Sequence, residues 1–360
     1  LPAYFDRQTR IIALVALVAS VAALGLRVGG GPNLAVFVAS AVGLAGLAAL
    51  VGDGTDQLGR RLGPSATGVL QSALGNLPEF FICIFALRAG LVDVVRAALV
   101  GSILANTLFV LGLAFLAGGL KHGTQRFGKD QTKMMATLLV LAVAAIAIPT
   151  IASSVGEPAH GHDVELSVVV SVVLLIVFAA SIPASIGGGA GPADVGASDG
   201  ATWPLPAALG VLLVAGVGAA FVSDWFVAAL EPAMGALGMS QAFAGLVVVA
   251  IAGNAVENVI GIQAMLANKA DLAISVILNS SLQVALALAP VLVLVSLVLG
   301  GATLTLVVSP LFVAALALAA LLAALVVIDG ESTWLEGVAL IGLYAILAAS
   351  VWWGPVAGQG

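Results

Sequence analysis

The chain has 360 residues, of which 61% are hydrophobic and 8% charged, with a net charge of −6 and a mean hydropathy of +1.20. A soluble domain carries about 25% charged residues, so a water-facing globule is excluded and most of the surface must meet lipid. No barrel-type alternation of apolar and polar residues runs along the segments, which leaves an all-α polytopic membrane protein.

A helical span needs roughly 20 mostly apolar residues. In chain order this predicts eleven spans, near 11–28, 33–51, 68–88, 97–117, 134–152, 166–186, 204–222, 241–266, 272–298, 303–327 and 334–353. Nothing ahead of Ile11 reads as a cleavable signal peptide. Cys83 is the single cysteine, inside an apolar stretch, so no disulfide framework is available. The negative charge lies mostly in loops, and no nucleic-acid partner is expected.

With the N-terminus in the cytoplasm, that side collects Arg7, Arg10, Arg60, Arg61, Lys121, Arg126, Lys129, Lys133 and Lys269. The other side keeps Arg27, Arg88 and Arg96. The positive-inside rule therefore puts the N-terminus inside and, after an odd number of spans, the C-terminus outside. A prokaryotic plasma membrane is the expected location. The Gly-rich stretch at 187–203 is a cytoplasmic linker. It separates an extra helix (1–30) and a first five-helix unit (31–186) from a second five-helix unit (204–360).

The third and eighth spans are interrupted in the same way, and their sequences repeat. GNLPE starts at Gly75 and GNAVE at Gly253, 178 positions later. The same offset relates Asn76 to Asn254, Glu79 to Glu257, Asp93 to Asp271 and Ser102 to Ser280. Over about 38 positions from Gly75 there are about eleven identities, several at polar sites. Five spans separate the copies, an odd number, so the two halves are inverted. Inverted repeats with Gly/Pro-interrupted spans mark secondary transporters, with the site at the repeat interface.

Glu79 and Glu257 fall near the centres of their spans. An ionised carboxylate there costs at least roughly 2.5–3.5 kcal/mol, so it must meet a cation, a proton or water. Twofold pseudo-symmetry brings both acids to the midplane, where one Ca2+ or two protons would neutralise the pair. Gly75, Pro78 and Gly253 break the helices, freeing carbonyls, and Asn76 and Asn254 add amide oxygens toward the six to eight that calcium takes. Ser102, Asn106, Ser280, Ser281 and Gln283 in the fourth and ninth spans are further candidates for cation or water contact. Interhelical hydrogen bonding is an equal reading for such residues.

Asp93 and Asp271 precede their spans and read as N-caps; Arg88 and Arg96 read as interfacial anchors. Asp53 and Asp56, and Asp224 and Glu231, follow the second and seventh spans, as acidic vestibules or as plain loop charges. His160, Gly161, His162 and Asp163 form HGHD, which could pinch a transition metal but reads better as a hydrated loop. No HExxH, Walker loop or nucleophile elbow is present, so an enzyme or ATP-driven pump has no basis.

At these residues the sequence resembles the calcium/cation antiporter superfamily, especially its calcium/proton exchanger branch. GNLPE and GNAVE stand where that family shows GNATE and GNAAE. GSILAN (Gly101 to Asn106) and SSLQ (Ser280 to Gln283) follow in the family's order. The resemblance implies one extra helix plus two inverted five-helix repeats. It also implies Ca2+ exchanged for H+, no cofactor, and Glu79 and Glu257 as shared acids with Asn76, Asn254, Ser102, Ser280 and Gln283 around them. Two features depart from the branch. Leu77-Pro78-Glu79 follows the sodium/calcium branch, and Asn258 follows Glu257 where the proton-coupled branch usually has His. Sodium-coupled exchange on the same scaffold is therefore the near alternative. A passive cation channel is the remote one, because internal inverted symmetry favours alternating access.

Overall fold

A computed structural model describes residues 5–62, 74–154, 157–187 and 203–353. These residues form α1 (Arg7–Val28), α2 (Asn33–Leu62), α3 (Leu77–Arg88), α4 (Val92–His122), α5 (Lys129–Ala152) and α6 (Asp163–Gly187). After the linker come α7 (Leu205–Leu237), α8 (Gln241–Gly253), α9 (Ala255–Leu266), α10 (Ala270–Ser296), α11 (Pro310–Val327) and α12 (Trp334–Trp352). Among the described residues nine helices are long and apolar enough to cross a bilayer, or ten when α8 and α9, bent by 65°, count as one span. The third expected span, 68–88, begins outside the described residues, and so does nearly all of the 187–203 linker.

Three boundaries differ from the sequence reading. Helix α2 continues past residue 51 and α7 past 222, so Asp53, Asp56, Asp224 and Glu231 lie within helices rather than in loops. The stretch 303–309 is not helical, and α11 starts only where Ser309 caps Phe312 N and Pro310 presets the first turn. Its β-branched Thr and Val residues favour strand geometry, and hydroxyls from neighbouring helices hold its backbone. Ser296 accepts from Leu304 N, Ser167 from Leu306 N and Thr150 from Val308 N, each at 3.0 Å.

Helices α4 and α10 form the interior: 83% and 78% of their apolar windows are buried, against 17% for α1. They run in opposite directions. Lys121 and His122, at the end of α4, each reach Leu266 O at 2.9 Å, beside the start of α10. Arg96, at the start of α4, donates to Thr305 O (3.3 Å) and Thr305 Oγ1 (2.7 Å), just past the end of α10. Each helix widens into a π-helical turn, Ala105–Val110 in α4 and Val284–Leu288 in α10, at nearly repeat-equivalent positions. Such turns are frequent at functional sites. The first half of α4 crosses the π turn of α8 (Ala244–Val249) with backbones touching. A Cβ on Gly101 would overlap the Leu246 carbonyl, and one on Gly245 the Val94 carbonyl. On the flank, α2 lies along α7, and α1 packs on α2.

Candidate functional site

The two helix breaks share one local geometry. Asn76 precedes α3 at φ −92°, ψ 17°, and Asn254 precedes α9 at φ −112°, ψ 19°. Pro78 is tolerated because it sits in the first turn of α3, where its missing N–H costs nothing. Each glutamate then falls in the first turn of its helix. Glycine at 253 lets the two breaks meet: a Cβ there would stand 3.0 Å from Glu79 Cβ.

Glu79 is fully buried. Ser102 Oγ donates to Glu79 Oε1, and Asn254 Nδ2, from the other repeat, donates to Glu79 Oε2 at 3.1 Å. The same amide reaches Ser102 Oγ and Ala250 O, each at 3.0 Å, while Ser280 Oγ contacts Asn254 Oδ1 at 3.5 Å. Asn106 Nδ2 donates to Ser280 Oγ at 2.9 Å, and Asn76 Nδ2 to Gln283 Oε1 at 3.1 Å. Two sets of buried polar groups thus tie the helices together: Glu79, Ser102, Asn254, Ser280 and Asn106 join α3, α4, the α8–α9 break and α10, and Asn76 and Gln283 join the break before α3 to α10. In a medium with no water to hydrogen-bond them, such groups must satisfy one another.

The network is less symmetric than the sequence. Ser102 and Asn254 engage Glu79, whereas their repeat equivalents, Ser280 and Asn76, engage Asn106 and Gln283 instead. The equivalents of Asn106 and Gln283 are Val284 and Ala105, so these two polar side chains have no counterparts to balance them. Glu257 is half-buried at its break. Two buried amide oxygens, Asn76 Oδ1 and Asn258 Oδ1, have no hydrogen-bond partner among the described residues. A buried acceptor left unpaired is costly and suits a cation. In the sequence Asn258 stands out only as a departure from the family motif. The signal that points to it is its place one helical turn after Asn254.

The remaining candidates lie elsewhere. Ser281 bonds back to Ile277 O within its own helix at 3.4 Å. Asp93 and Asp271 are not caps: Leu91 and Lys269 hold those positions, without side-chain bonds. Asp271 instead accepts Gly128 N at 2.5 Å, and Asp93 pairs with Arg96 at 3.1 Å. Arg96 is therefore more than an interfacial anchor, since it also holds Thr305, whereas Arg88 is exposed at the end of α3. Asp53 accepts from Thr9 Oγ1 at 2.9 Å, and Asp224 pairs with Arg27 at 2.8 Å. In HGHD, His160 turns to Ser153 O (2.6 Å) and His162 to Glu165 (4.0 Å). No cluster of three metal-ligating His, Cys, Asp or Glu side chains forms among the described residues.

Comparison with known proteins accords with this architecture. The family model for sodium/calcium exchanger proteins matches residues 32–187 and 207–353. The Ca2+/H+ antiporter of Synechocystis is 34% identical over 340 residues, covering 89% of this chain and 91% of that one. The solved structure of the Ca2+/H+ antiporter YfkE superposes with a TM-score of 0.82 at 29% identity, over 95% of this chain and 99% of that one. An H+/Ca2+ exchanger CAX shares the fold, with a TM-score of 0.71 at 15% identity over 96% and 92% of the two chains. With inverted halves meeting at two glutamate-bearing breaks, and a family match that spans both halves, the chain belongs to the sodium/calcium exchanger protein family.

Proposed function

We propose that this protein exchanges Ca2+ for H+ across the membrane by alternating access, with Glu79 and Glu257 as the acids both ions share. The observation that carries the proposal is the buried Glu79 carboxylate, held by Ser102 and by Asn254 from the opposite repeat, with Glu257 at the matching break. Two carboxylates neutralise one Ca2+ or two protons, so loading either ion leaves the site equally charged and occupancy by one excludes the other. Ser102 and Asn254 already touch Glu79, and Asn76, Ser280, Asn106 and Gln283, from the same breaks and helices, would add oxygens toward the six to eight that calcium takes. The names of the Synechocystis and YfkE relatives support calcium and protons as the ion pair. The bacterial sources and the basic-residue bias favour a plasma membrane with the N-terminus in the cytoplasm.

Sodium coupling is the second reading, resting on Leu77-Pro78-Glu79. Uptake of Ca2+ into proteoliposomes under an imposed pH gradient, with and without sodium, separates the two. The proposal expects uptake driven by the proton gradient alone. Uptake that follows a sodium gradient and ignores pH would replace it with the second reading.

A further inference from the structure

The extra helix α1 and the long helix α7 both rest on α2, and they are pinned to each other at two places. At one end Phe5 meets Trp203, which leads into α7, edge-on at 4.6 Å, and both pack on Ala208. Toward the other end Arg27 pairs with Asp224 at 2.8 Å. Between the pins the helices part, leaving an apolar slot of about 680 Å³ floored by Leu47 and Leu50 of α2. Small residues hollow its walls, Ala13 on α1 and Gly210 on α7. Its outer lip is bilayer-facing: Leu17, Val214 and Phe221 are each more than 60% exposed.

The slot's dimensions select its occupant. The α7 wall runs from Ala207 to Trp225, about 27 Å at 1.5 Å per residue, close to the roughly 30 Å of the hydrocarbon core. Because α1 and α7 stay joined at both ends, a helix about 10 Å across from a second copy would rest on the lip rather than enter the slot. Water gains too few polar partners in such a lining to stay. An apolar trough of this length suits a polymethylene chain, and the lip opens onto the lipid that would supply it.

We propose that the slot holds one acyl chain of a bilayer phospholipid, wedged between α1 and α7 as part of the folded structure. The test counts phospholipid retained by protein extracted from membranes and washed by size exclusion in maltoside detergent, read by phosphate assay and native mass spectrometry. The parent should keep about one phospholipid per chain after the surrounding lipid is gone. Gly210→Leu, whose new Cβ meets nothing within 4 Å, grows into the slot and should cut retention at least threefold. Ala13→Leu, from the opposite wall, should do the same, so a folding failure in one variant leaves the other as the test. Folding is read by circular dichroism and elution profile. A parent that retains no phospholipid, or folded variants that retain as much as the parent, would overturn the proposal. A change in oligomeric mass with unchanged lipid would overturn it too, in favour of a contact between copies of the chain.

Discussion

Glu79 and Glu257 carry the same motif position but sit in different surroundings. Glu79 has both oxygens occupied by donors, one from each repeat, whereas Glu257 is the more open of the two. Replacing either by Gln keeps its shape and removes one of the two charges proposed to face a divalent cation. In Glu79→Gln, Ser102 can turn its hydroxyl to accept from the new amide, so the fold should survive. Unpairing one buried charge partner costs about 3–5 kcal/mol, so exchange by each variant should fall at least about a hundredfold, with unchanged elution and helicity. Purified Glu79→Gln or Glu257→Gln that still exchanged calcium for protons at the parent rate would remove these acids from the mechanism.

At the level of elements, the site depends on how closely α4 and α8 cross. Gly101 and Gly245 let backbone meet backbone, which sets the distance between Ser102, next to Gly101, and the Asn254 break, two to three turns after Gly245. Even one methyl group has nowhere to go, because its obstacle is a carbonyl rather than a side chain that can swing aside. Gly101→Ala should lower stability by about 1–3 kcal/mol or more, the range for overpacking a tight core. In contrast Gly342→Ala, on an open face of α12, should be neutral or stabilise by up to about 1 kcal/mol. Thermal unfolding in detergent compares the two directly, and equal melting temperatures would contradict so close a crossing. The paired π turns in α4 and α10 belong to the same scale: each extra residue re-aims the helix just past Ser102 or Gln283.

For the whole molecule, the contacts sort the loops into two sets. The α4–α5 loop meets the α9–α10 turn and, through β1 (Gln125–Arg126) and β2 (Glu331–Ser332), the α11–α12 turn. The start of α4 meets the opposite set, at 303–309. In a background where Cys83 is replaced by Ser, Lys129→Cys and His160→Cys should therefore label from opposite sides of the membrane. Labelling of both from one side would refute the inverted arrangement. The proposed exchange by shared acids also has a linkage consequence. On that proposal calcium binds only the deprotonated pair, so its binding should weaken as pH falls and should release protons. Calorimetry in two buffers of different ionisation enthalpy reads this as a difference in heat. Identical heats, with sodium displacing calcium, would point to sodium coupling.

Two parts of this protein are legible in its amino-acid sequence alone. Composition demands helices in lipid, because a bilayer leaves backbone polar groups no other partners. The 178-residue offset places Glu79 and Glu257 at equivalent breaks, because polar identities are expensive to keep inside apolar spans. Other features are decided only by tertiary contact. Asp93 and Asp271 read as caps because capping is a local preference, yet Asp271 bonds Gly128, 143 residues away. Residues 303–309 read as helix because they are apolar, yet hydroxyls on three neighbouring helices hold their backbone in a non-helical path. The unequal treatment of the two glutamates is also hidden in the sequence. It arises because Asn106 and Gln283, which lack repeat counterparts, draw Ser280 and Asn76 into their own bonds. A repeat records which residues are shared, but partners for buried polar groups are chosen by distances that only the packed bundle sets.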